Sequence, residues 1–179
     1  MVEVVSSIFA QDYLADLKVA LDLLDLGQIH AFTVAVEGVM DNGGTVHFIG
    51  NGGSAGTPSH SAGDWSKELT LPTLCHVDNV FVGALKTFLK TGDIVVGYSG
   101  SGNSANVLNG LQYAKEMGCT TIGVGGDYNG GGGGLMASLV DIAIIARTHS
   151  MERIEDIQLI INHIVKETIK AKRGITGHC

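Results

Sequence analysis

The chain has 179 residues, 45% of them hydrophobic, which is enough to bury one core and too apolar for a disordered polypeptide. A formal net charge of -7 argues against nucleic acid or an anionic membrane as partner, because both recruit surface Lys and Arg. Cys75, Cys119 and Cys179 lack framework spacing, Glu3 and Asp12 interrupt any leader-like apolar start, and no apolar run reaches the roughly 20 residues of a spanning helix, so the expected setting is cytoplasmic with packed thiols. Residues 6–41 read as two helices, with Ile8, Leu14, Leu17, Leu21 and Leu24 near helical spacing, then Phe32, Val36 and Val39, and Gly27 as the break. Short apolar strands follow over 46–50, 73–77, 94–98, 120–124 and 140–145. Helical stretches lie between them over 55–68, 80–90, 103–117 and 135–138, and a helix over 152–172 closes the chain.

Strands alternating with helices imply a parallel sheet covered on both faces, an α/β three-layer αβα sandwich behind an N-terminal helical hairpin. The expectation is one domain over 1–179, with N-terminal helices over 1–43, the α/β core over 44–172 and a frayed tail over 173–179. Ligands of such sheets bind beyond the carboxyl ends of the strands. The 26 glycines cluster at those places.

Two loops carry the chemistry. Gly50-Asn51-Gly52-Gly53-Ser54-Ala55-Gly56 follows a strand and opens a helix, and so does Ser99-Gly100-Ser101-Gly102-Asn103-Ser104. Glycines admit close backbone approach, hydroxyls donate, and the free N–H groups of a helix start favour an anion. One such loop alone reads as an ordinary turn with a Ser cap. Two in one sheet favour a phosphate nest. Neither has the Lys of a P-loop or the full dinucleotide fingerprint, which excludes ATP and NAD as first choices.

These loops resemble the sugar isomerase (SIS) family, phosphoheptose isomerases in particular. Residues 50–54 resemble the GNGGS loop of that family, and Ser99 to Val107 resembles its STSGNSANV segment with Gly100 for Thr. Gly92-Asp93 also fits, and Arg153-Ile154-Glu155-Asp156-Ile157-Gln158 with His163 resembles the closing RIQE…H helix. The resemblance spans about residues 10–172 and implies a single SIS domain with a five-stranded parallel sheet. It further implies a homotetramer with sites between subunits and a role in lipopolysaccharide heptose biosynthesis. By similarity Ser54, Ser99, Ser101 and Ser104 grip a sugar phosphate with Asn51 nearby. Gly52, Gly53, Gly100, Gly102 and Asn103 complete the two loops.

His60 and Asp64 stand at i, i+4, so they share a helix face and suit a divalent metal or acid/base work; a plain surface pair fits the same spacing. The resemblance assigns His60, Asp64, Glu155 and His163 to a metal, zinc by preference and one per subunit, and Asp64 with His163 to catalysis. Two residues depart from the family pattern: Asp64 stands for Glu, and Glu155 for Gln. Eight residues of helix rise about 12 Å, too far for Glu155 and His163 to share one ion unless the helix start is irregular, the two serve different sites, or another subunit supplies a ligand.

Between Glu68 and Phe81 the chain is shorter than the family pattern, Asp78-Asn79 reads as a strand end, and Phe81-Val82-Gly83 stands where Phe-Ser-Arg is usual. Elsewhere, Gly130 to Gly134 reads as a flexible connector, His47 as a strand residue without a partner, and Cys75, His76 and Trp65 as packing. The basic end Lys170-Ala171-Lys172-Arg173 suits the helix dipole. The expected function is aldose–ketose isomerisation of a phosphorylated sugar, sedoheptulose 7-phosphate by preference. The alternatives are an isomerase of another long-chain phosphosugar, or a non-catalytic phosphosugar- or protein-binding module of the replication-initiator-binding type.

Overall fold

The computed structural model describes residues 2–76 and 80–176. The expected strand end at Asp78-Asn79, and Cys179, lie outside the described residues. Helices α1 (Val2–Asp22) and α2 (Leu26–Asn42) form the N-terminal hairpin. The break falls before Gly27, because Asp25 caps α2 and its Oδ1 accepts from Gly27 N at 2.9 Å and Gln28 N at 3.1 Å. Gly43, at φ 69°, closes α2 in the left-handed conformation that glycine adopts without strain.

The core holds β1 (Val46–Gly50), α3 (Gly56–Leu69), β2 (Thr73–His76), α4 (Phe81–Phe88), β3 (Ile94–Ser99), α5 (Ala105–Glu116), β4 (Thr120–Gly126), α6 (Gly134–Leu139), β5 (Ile142–Ala146) and α7 (Met151–Arg173). The five strands are parallel, in the order β2-β1-β3-β4-β5. The expected three-layer αβα sandwich is therefore the observed fold. Strands β1, β3 and β4 are buried along nearly their whole length, which is why they read as continuous apolar runs.

Side chains alternate across the sheet. Val46, Phe48, Val96, Tyr98, Ile122 and Val124 face α2, α3 and α7. Ile49 and Val95 face α4, α5 and α6, beside Phe81, Leu85, Val107, Leu111 and Met136. Trp65 packs between Phe32, at 5.7 Å, and Phe48, edge-on at 5.2 Å.

Residues 173–175, expected to open a frayed tail, are held in place. Helix α7 runs through Arg173, Gly174 takes φ 65°, and Ile175 N donates to Lys170 O at 2.9 Å. Ile175 packs against the core, and Arg173 pairs with Asp41 at 2.8 Å. Among the described residues no single helix is long and apolar enough to cross a membrane.

Candidate functional site

The first loop leaves β1 at Gly50, where a Cβ would collide with Ser54 O, so the chain can fold back only over glycine. Gly52, at φ 55°, turns it into a 3-10 segment, Gly52–Ala55, that runs directly into α3. The Asn51 and Asn106 amides exchange two hydrogen bonds, of 2.7 and 2.9 Å, which tie this loop to α5.

The second loop leaves β3 at Ser99. Gly102 N donates to Ser99 Oγ at 3.1 Å, Ser99 Oγ lies 3.2 Å from Ser104 Oγ, and Asn103 N donates to Ser101 Oγ at 3.3 Å. The strands leading into the two loops are neighbours, so both loops open at one edge of the sheet. Between them lies a cavity of about 220 Å³ lined by Asn51, Gly52, Gly53, Ser54, Tyr98, Ser99, Gly100, Ser101, Ser104, Met151 and Glu155. No Lys or Arg lines it, so an anion there is held by backbone N–H groups and hydroxyls.

Two residues expected in the nest stand behind it. Gly102 packs so closely on Gly133 that a Cβ would collide with Gly133 O, and Asn103 Oδ1 accepts from Leu135 N at 3.0 Å. Both support the loop rather than line the cavity. They also show that Gly130 to Gly134 is no loose connector. The run docks on the second loop, and Gly132 N donates to Asp127 Oδ1 at 2.6 Å.

Helices α3 and α7 lie side by side. His60 Nε2 is 3.0 Å from His163 Nε2 and 3.2 Å from Asp64 Oδ2, and His163 Nε2 is 3.9 Å from the same oxygen. These three ligand atoms lie within 4.8 Å of one another and can hold a metal ion. Two imidazole nitrogens and one carboxylate oxygen suit a divalent transition metal and leave a coordination position open. The outer side is accessible, with side chains of His60, His163 and Asp64 46%, 43% and 27% exposed.

Glu155 is not in this group. Because α7 is continuous from Met151 to Arg173, the rise of about 12 Å separates Glu155 from His163. Glu155 instead lines the loop cavity, its carboxylate against Gly53. Burial, then Glu152 and Asp156, push its pKa up.

Sequence reading missed several neighbours. Lys166 Nζ lies 3.3 Å from Asp64 Oδ2 and 2.8 Å from Glu68 Oε1, and Lys170 also pairs with Glu68. Burial alone would lower the Lys166 pKa, but hydrogen bonds to Glu68 and Asp64 outweigh it and leave it raised. Glu68 is pulled down to about 2 by Lys166 and Lys170. The basic end of α7 thus serves ion pairs with α3 and α2 besides any dipole. Tyr98 and Met151 line the cavity without a polar signal in the sequence that marks them.

The family model described as SIS domain matches residues 63–126. A protein of Thermoplasma volcanium named a probable phosphoheptose isomerase is 33% identical over 178 residues, covering 88% of this chain and 89% of the relative. The chain belongs to the phosphoheptose isomerase family. A phosphoheptose isomerase of Aliarcobacter butzleri is 32% identical over 159 residues, covering 78% of this chain and 82% of that protein. The solved phosphoheptose isomerase of Neisseria gonorrhoeae superposes with a TM-score of 0.79 at 25% identity, over 93% of this chain and 98% of that one. The motif resemblance thus holds over nearly the whole chain, and the fold matches that of a solved family member.

Proposed function

We propose that this chain is a phosphosugar isomerase that interconverts sedoheptulose 7-phosphate and D-glycero-D-manno-heptose 7-phosphate. The observation that carries this reading is the joining of a phosphate-sized, hydroxyl-rich cavity and a His60/Asp64/His163 cluster through the same two helices, α3 and α7. The loops at Asn51 to Ser54 and Ser99 to Ser104 anchor the phosphate. That binding holds the far end of an open-chain sugar for proton transfer.

In the ketose-to-aldose direction a base removes a proton from C1 and O2 gains one, giving an enediol. Loss of the O1 proton and protonation of C2 then give the aldose. Asp64 and His163 are the acid/base pair. Asp64 Oδ2 faces the imidazoles and Lys166, which leaves Oδ1 to exchange the proton.

His60, Asp64 and His163 would hold the metal, zinc by preference. Ligand atoms on tetrahedral zinc at about 2.0–2.1 Å stand roughly 3.3 Å apart, close to the separations of 3.0, 3.2 and 3.9 Å here. When bound, it would supply Lewis-acid polarisation of the sugar oxygen. The chain works as a homotetramer, and the exposed Phe9, Leu14 and Leu26 of the N-terminal hairpin are the apolar surface that association would cover.

The test is turnover of sedoheptulose 7-phosphate by zinc-supplemented protein beside an Asp64→Asn variant. We expect turnover in the parent and a loss of at least about a hundredfold in the variant. Phosphosugar binding with no turnover in either protein would replace this reading with a binding module.

A further inference from the structure

On the other side of the α7 start lies a second and larger cavity, of about 540 Å³, in the size range of small-molecule sites. Asp16 and Val19 of α1 form one wall, and residues 147–150 with Arg153 form the other. The chain carries a net charge of -7 and has only three arginines, Arg147, Arg153 and Arg173, yet two of them line this cavity.

The three nitrogen-bearing side chains that line it, Arg147, His149 and Arg153, are held in different ways. Arg153 is fixed: it pairs with Asp16 at 3.1 Å, donates to Tyr13 O at 3.3 Å, and lies 4.3 Å over the Tyr13 ring. His149 is fixed through Nδ1, which lies 3.1 Å from Gly130 N and 2.8 Å from Asp127 O, so Nε2 has no partner among the described residues. Arg147 makes no ion pair or hydrogen bond among the described residues, and its guanidinium is the uncommitted cation of the cavity.

Asp16 offsets one arginine, so the two arginines and the aspartate of the lining leave one net positive charge. A planar guanidinium binds a phosphate through two parallel N–H···O bonds. Thr148 adds a hydroxyl, the Ser150 hydroxyl being turned to Glu152 Oε2 at 2.8 Å, and the volume leaves room for an organic body beyond the phosphate. We propose that this cavity is a second binding site, for a small phosphate ester, separate from the Gly/Ser nest. The two cavities share the first turns of α7, with Arg153 facing this one and Met151 and Glu155 facing the nest.

The test uses inorganic phosphate as the probe, titrated by phosphorus NMR and calorimetry into the full chain, into Arg147→Ala, and into Ser101→Ala/Ser104→Ala. We expect two phosphates per chain in the parent. Arg147→Ala should bind one of them about tenfold or more weakly, and the serine variant should lose the other. A single phosphate per chain that Arg147→Ala leaves unchanged overturns the second site. Loss of a phosphate in Arg147→Ala with none lost in the serine variant would instead retain this site and remove the nest.

Discussion

Asp64 Oδ2 stands among three nitrogens, those of His60, His163 and Lys166, and the chemistry of the site depends on which of them it serves. Lys166 is nearly buried and is the one fixed positive charge of that set. It also holds Glu68, whose pKa lies near 2. The Glu68 pairing therefore contributes stability above its ordinary 4.5, and this is lost as pH falls toward 2. Lys166→Met should raise the Glu68 pKa, move acid unfolding to higher pH, and lower the melting temperature by at least about 2–4 °C. Circular dichroism melts over an acid series check this. An acid midpoint that does not move would mean that Lys170 alone holds Glu68. At this scale the i, i+4 spacing of His60 and Asp64 was legible from sequence. The cross-helix partner was not, because Asp64 and Lys166 stand 102 positions apart in the chain.

Elements were read more fully than their joints. The strands showed as apolar runs with turn residues behind them, since a parallel sheet covered on both faces demands that pattern. The α1–α2 break was placed at Gly27 because glycine is the visible helix breaker, whereas the Asp25 carboxylate sets the start of α2 and Gly27 sits inside its first turn. The glycine run was misread for a related reason. Composition suggests flexibility, but Gly133 and Gly134 supply bare backbone against which the second loop packs. Gly102 is the other half of that contact. It sits at φ 66° with no room for a Cβ beside Gly133 O. Gly102→Ala should therefore weaken phosphate binding at Ser99 to Ser104 by about tenfold and lower the melting temperature by several degrees. Gly52→Ala is the control: it too has positive φ but no atom within 4 Å of its Cβ, so its smaller thermal loss would isolate the clash.

Across the whole molecule, the candidate site occupies the carboxyl edge of the sheet, while a chain of buried polar groups crosses β1, β2 and the start of β3. His76 Nε2 lies 2.9 Å from His47 Nδ1, and His47 Nε2 lies 3.3 Å from Asp93 Oδ2. Asp93 in turn accepts from Thr45 N at 2.9 Å and Lys90 N at 2.8 Å, so its carboxylate anchors two loops. Sequence reading gave His47 no partner, because Asp93 and His76 meet it only through strand pairing. Burial, then the neighbouring His47, lower the His76 pKa to about 4, and burial lowers that of His47 against the pull of Asp93. Both rings therefore take up a proton less readily in the fold than when unfolded. The contribution of His76 to stability is therefore complete above about 6.5 and is lost as pH falls from there toward 4, and His47 acts in the same direction. The Glu68 contribution falls below about 4.5, so a comparison at about pH 5 and pH 7 stays clear of most of it. The parent should melt several degrees lower at about pH 5 than at about pH 7, and His76→Gln, which cannot gain a proton, should narrow that gap. An unchanged gap in His76→Gln would remove His76 as the source of the acid sensitivity.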